Sequence, residues 1–168
     1  MATLRDEGAH HGGFRRSRRS DLAFTGALLV LSASLIPFPY HRAQRGLNYY
    51  AVGSALLEIG RVPEAEEALT SAVEAYPAYS PAHRKLGIAL YRNRRLPDAL
   101  KQFDLAIDAD PKNAENWIVR GMLLEELGRV PEAARDFDQA LALEPNSAEA
   151  AAAHTRLRSQ AHPGVGGR

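Results

Sequence analysis

The stretch AENWIVRGMLLEELGRVPEAARDFDQALALEPNS, residues 114–147, repeats a pattern already met at 80–113 and, before that, at 46–79. Each unit is 34 residues long. Gly53, Gly87 and Gly121 keep that interval, as do Ala65, Ala99 and Ala133, and Ala72, Ala106 and Ala140. So do Pro63, Pro97 and Pro131, and again Pro77, Pro111 and Pro145. Five separate positions in register three times exclude chance composition. A period of about 20–50 residues marks an array in which each unit buries its apolar face against its neighbours. Arrays of this kind present surfaces rather than catalytic pockets.

Within a unit the spacing predicts two helices. Tyr49, Val52, Gly53 and Leu56 in the first unit, and Trp117, Gly121 and Leu124 in the third, fall at helical offsets of three and four. A mid-helix glycine costs about 1 kcal/mol against alanine. Its recurrence therefore predicts a neighbouring helix too close for a side chain. Gly60-Arg61-Val62-Pro63, Arg94-Arg95-Leu96-Pro97 and Gly128-Arg129-Val130-Pro131 then read as turns. Glycine suits the left-handed end of one helix and proline the first turn of the next. Glu64, Asp98 and Glu132 follow at the positive end of the second helix dipole. That helix buries Ala65, Leu69, Ala72 and Val73, and the equivalents Ala99, Phe103, Ala106, Ile107 and Ala133, Phe137, Ala140, Leu141. Ser80, Asn113 and Ser147 read as N-caps, with Pro81 delaying the start of the second unit by one residue.

Trp117, Gly121, Leu124, Ala133, Phe137, Ala140 and Pro145 together resemble the tetratricopeptide repeat, and the resemblance covers residues 46–147. His83 stands where an aromatic is usual, Leu69 replaces the second aromatic, and Arg120 replaces a leucine; its stem is expected along the core with its charge in water. The resemblance implies an all-α, right-handed superhelical solenoid of antiparallel helix pairs, preceded here by a separate N-terminal hydrophobic helix. Residues 148–161 read as a capping helix, which such arrays need to close their last seam, with Arg156, Arg158 and Gln160 facing outward. Residues 162–168 read as a flexible tail.

Residues 1–45 carry seven Arg against three acids, a net of +4, whereas 46–147 carry eleven basic and sixteen acidic residues, a net of −5. An acidic body argues against a nucleic-acid partner. There is no cysteine, which excludes disulfides and thiolate chemistry.

Residues 1–21 read as a disordered basic tail and 22–40 as a hydrophobic segment. The uncharged run 22–36 spans about 22 Å as a helix, short of a ~30 Å hydrocarbon core, and extension to Tyr40 brings it to nineteen residues. The preferred reading is a single membrane span with the repeats outside the cytoplasm, since four arginines precede it and two, Arg42 and Arg45, follow. The alternatives are a cleaved signal, leaving a secreted or periplasmic protein, and a soluble helix packed on the array of a cytoplasmic one.

No catalytic constellation, phosphate loop, metal set or cofactor motif is present; His10-His11 is read as incidental, and His83 is expected to pack in the array. The expected function is non-enzymatic binding of a protein or peptide. By the resemblance, the free face of the first helices would form the groove: Tyr50, Ser54 and Leu57, then Arg84, Ile88, Tyr91 and Arg92, then Ile118, Met122 and Glu125. Family members that hold chaperone tails place lysine and asparagine on this face. Here Ser54, Ile88 and Met122 follow the glycines, so that recognition is not expected. A membrane-tethered adaptor is the leading reading. The alternatives are the repeat part of a membrane enzyme such as a glycosyltransferase, and a homo-oligomeric scaffold stacked head to tail.

Overall fold

Among the described residues, proline and glycine punctuate the chain into seven helices. The structure is a computed structural model, and it describes residues 38–161. In order the helices are α1 (Phe38–Glu58), α2 (Val62–Ala75), α3 (Ser80–Arg92), α4 (Leu96–Ala109), α5 (Ala114–Glu126), α6 (Val130–Leu143) and α7 (Ala148–Ala161). Helix α1 starts before residue 46, with Pro39 in its first turn, where a missing N–H has no intrahelical partner to lose. The tail and most of the hydrophobic segment expected at 22–40 lie outside the described residues, as do His10 and His11. Among the described residues no helix is long and apolar enough to cross a membrane.

The turns between paired helices are alike. Gly60 and Gly128 adopt φ of +79° and +73°, and the next N–H reaches back to the helix it leaves: Arg61 to Leu56 O at 2.9 Å, Arg129 to Leu124 O at 2.8 Å. In the middle unit Arg94 takes the same left-handed conformation, φ +61°, and Arg95 N–H donates to Leu90 O at 2.9 Å. A side chain there costs about 1–2 kcal/mol, which the two backbone bonds of the motif offset. The residue before each even-numbered helix of the pairs pairs with the acid three positions on: Arg61 with Glu64 at 2.8 Å, Arg95 with Asp98 at 2.6 Å, and Arg129 with Glu132 at 2.7 Å. These are exposed pairs and add little to stability.

The recurring glycines are contact points. A Cβ at position 53 would lie 2.6 Å from Leu69 Cγ, and one at 121 would lie 2.8 Å from Phe137 Cε1. Each large residue of a second helix thus seats over the glycine of its partner, and α1–α2, α3–α4 and α5–α6 close into hairpins. Two apolar clusters run through them. One gathers Leu57, Leu69, Leu86, Leu90 and Phe103; the other gathers Ile118, Leu124 and Phe137 with Ala150, Ala153 and Leu157 of α7. The last three recur at helical spacing, and that is how α7 caps the array.

Two expectations need correction. Ser80 does not cap α3, nor does Pro81 delay it: the helix starts at Ser80, and the buried hydroxyl donates to Ala106 O at 2.9 Å, tying α3 to α4 within one unit. Asn113 Oδ1 does accept from Glu115 N at 3.0 Å, and Ser147 Oγ from Ala150 N at 3.4 Å. Arg120 does not keep its charge in water. It forks onto the buried Asp136 with bonds of 2.8 and 2.7 Å, meets Asp104 at 2.7 Å, and lies 5.1 Å from the Trp117 ring centre. Hydrogen bonding to Asp136, ahead of the cost of burial, raises its pKa and holds it charged. His83 is buried as expected, with Nδ1 2.9 Å from Gln102 Oε1 and Nε2 2.8 Å from Pro77 O.

Candidate functional site

The odd-numbered helices α1, α3 and α5 turn the face opposite their glycines toward one side of the array. Between α3 and α5 on that side lies a hollow of about 530 Å³. Ile88, Tyr91, Arg92, Met122 and Glu125 all line it, so half of the residues read from the sequence meet at one place. Its floor is apolar, made by Ile88, Phe103, Val119 and Leu123. Tyr91 and Met122 stand open to solvent at its mouth.

The other five are placed elsewhere. Leu57 and Ile118 are turned into the two apolar clusters. Arg84, only 8 % exposed, is drawn between the units: Nη1 donates to Asn116 Oδ1 at 2.9 Å and Nη2 meets Glu115 at 2.8 Å. Its charge is thereby spent on structure. Tyr50 sets its ring edge-on to Tyr79 at 5.1 Å, and Tyr79 stacks on Tyr76 at 5.6 Å. Ser54 is half-buried, its hydroxyl enclosed without a hydrogen-bond partner.

The charges at the rim of the hollow are engaged with one another. Tyr91 Oη donates to Glu126 Oε2 at 2.5 Å, and Arg94 reaches the same carboxylate at 3.3 Å. The bond to Glu126 pushes the Tyr91 phenol above its ordinary range. Arg92 Nη1 donates to Leu57 O at 2.8 Å. Arg156 of α7 is exposed as expected, and it also forks onto Glu125 at 2.9 and 2.6 Å and joins the lining. Its hydrogen bonds hold the Glu125 carboxyl below the ordinary carboxylate range. The 34-residue interval carried a signal for it: Ser54, Ile88, Met122 and Arg156 are one position repeated. Glu126 had no such signal. Among the described residues no group of His, Asp or Glu stands together as a metal site.

Models of the tetratricopeptide repeat match residues 50–114 and 86–158, together spanning 50–158 and most of the described helices. The chain belongs to the tetratricopeptide-repeat family. Solved structures similar to this tetratricopeptide-repeat protein include the Arabidopsis OM64 TPR domain, 27 % identical over 71 % of this chain and 98 % of that one, with a TM-score of 0.68. The first TPR of Spaghetti (RPAP3), bound to the HSP90 peptide SRMEEVD, is 24 % identical over 73 % and 96 %, also at 0.68. MamA is 18 % identical over 86 % and 82 %, at 0.67. The last two show likeness of fold alone. Among curated proteins none matches this sequence significantly. Tetratricopeptide repeats are protein-interaction modules, and the seven helices among the described residues of this one are three repeats and a cap.

Proposed function

We propose that this protein is a membrane-tethered adaptor that takes up a peptide on its concave side, with one bulky apolar side chain of the peptide seated in the hollow between α3 and α5. The hollow carries the reading: an apolar floor with Tyr91 and Met122 open above it, ringed by charges that already have partners. Such a site recognises an apolar anchor more readily than a cluster of carboxylates. A lysine and asparagine set is missing, and Arg84 is withdrawn into the unit boundary, so the chaperone-type tail remains outside this reading. Peptides selected from a random library on the full chain should share one large apolar residue. Met122→Glu should weaken them by tenfold or more, since it sets a charge against the anchor. Leu105→Glu, on α4 away from the hollow, should leave them unchanged. Equal binding by M122E and the parent would rule the hollow out.

The tether rests on the uncharged run 22–36 and its flanking arginines, which favour placing the repeats outside the cytoplasm. Tethering raises the local concentration of a partner in the same membrane, so micromolar affinity, about −8 kcal/mol, suffices. The chain is expected to stay in the pellet through an alkaline carbonate wash, with its repeats open to protease added on the outer side. Release into the wash argues for one of the soluble alternatives.

A further inference from the structure

Helix α1 leaves uncovered the face that α3 and α5 bury. Val52 is 54 % exposed, but its equivalent one unit on, Leu86, is 4 % exposed; Ala55 is exposed, while its equivalents Ala89 and Leu123 are buried. Tyr49 extends the same side of α1 at 44 % exposure, and Ile59, just past the end of the helix, is 69 % exposed. In the later units the preceding hairpin covers this face. We infer that α1 is a self-association face, on which a second copy of this chain lays its own α1 antiparallel, giving a symmetric dimer.

The choice of a second copy, and of this geometry, follows from what else the described residues offer. Their remaining exposed large apolar side chains are Tyr91 and Met122 at the hollow and the isolated Leu105 and Leu127. The outer face of α7 presents the small residues Ala148, Ala151 and Ala152 beside Thr155, Arg158 and Ser159, and no large apolar side chain. Stacking head to tail would therefore set the large apolar side chains of α1 on a face that has none to meet them, whereas α1 against α1 matches large apolar side chains to their like and closes with two-fold symmetry. Charge then fixes direction. Arg42 and Arg45 lie near the start of α1, and its sole acid, Glu58, lies at its end. Arg45 and Glu58 are both exposed and in no ion pair among the described residues. The order is opposite to what the helix's own dipole favours. A parallel pair would set arginines against arginines. An antiparallel pair centred between Ala51 and Val52 brings each Arg45 end, about 20 Å from Glu58 along the axis, beside the Glu58 end of the other copy. Ala51 and Ala55 let the two backbones approach.

The chain has no cysteine, so one introduced thiol reports its neighbour without background. Full-length V52C is expected to cross-link to a dimer, and no further, under mild oxidation, while L127C stays monomeric. In light scattering, Val52→Glu should halve the mass of the full chain. Arg45→Glu should weaken the dimer roughly tenfold, and adding Glu58→Arg should restore it. Peptide binding at the hollow plays no part in these readouts. A monomeric parent overturns the inference, as does a V52C thiol protected from maleimide in a monomer, which would mean that the face is covered within one chain. Equal cross-linking of L127C, or a ladder of higher oligomers, overturns it too.

Discussion

Arg120→Leu is expected to lower the free energy of unfolding by about 3–5 kcal/mol in a denaturant titration, because it strands a buried carboxylate. Asp136 is 4 % exposed, and the Arg120 fork supplies donors to both of its oxygens. The pair to Asp104 contributes less, since that carboxylate is half in water. Loss of the stacking on Trp117 adds about 0.5–1 kcal/mol. The double variant R120L/D136L should recover to within about 1–2 kcal/mol of the parent, as apolar replacement of a whole buried pair is often close to neutral. A single variant as stable as the parent would show that Asp136 finds water or another donor, and would sink the account.

Asn116→Leu is the second large effect, expected at about 2–4 kcal/mol. The Asn116 amide is fully buried where two units meet. Its Nδ2 lies 2.8 Å from Ser80 Oγ and 3.0 Å from both Ala106 O and Asp110 O, and its Oδ1 receives Arg84. Leucine fits the volume but leaves Arg84 buried with Glu115 as its one charged partner and with its Nε already unsatisfied. Arg84→Leu alone should cost less than N116L, because it removes the buried charge itself and strands only the neutral Asn116 Oδ1, while Glu115 is already open to water. N116L no more destabilising than R84L would mean that the network is dispensable.

These two sites mark the boundary of what was legible in the amino-acid order. The helix pairs, their turns and the glycine contacts could be read because each is stated three times, so one accidental residue could not mislead. The polar network could not. Asn116 corresponds to Ala82 and Asn48, and Ser80 to Ala114 and Gly46, so neither belongs to the periodic pattern. Arg120 replaces Leu86 of the previous unit, and its partner Asp136 replaces Gln102. The two coupled departures lie 16 residues apart and meet only once α5 and α6 are packed. Within the proposed groove the same logic applies. Ile88, Tyr91 and Met122 follow from the free face of a helix. Arg84 looked like a groove cation because nothing local shows that Asn116, 32 residues on, would claim it.

Glu125 serves two masters, since it lines the hollow and is also the grip by which Arg156 holds the final helix. A guest that draws this carboxylate to itself must free Arg156 and ease α7 from its seat. By thermodynamic reciprocity, whatever seats α7 more firmly must loosen such a guest by the same factor. A guest that ignores Glu125 is indifferent to the state of the C-terminal helix, so fraying there would sort visitors by how they treat one carboxylate.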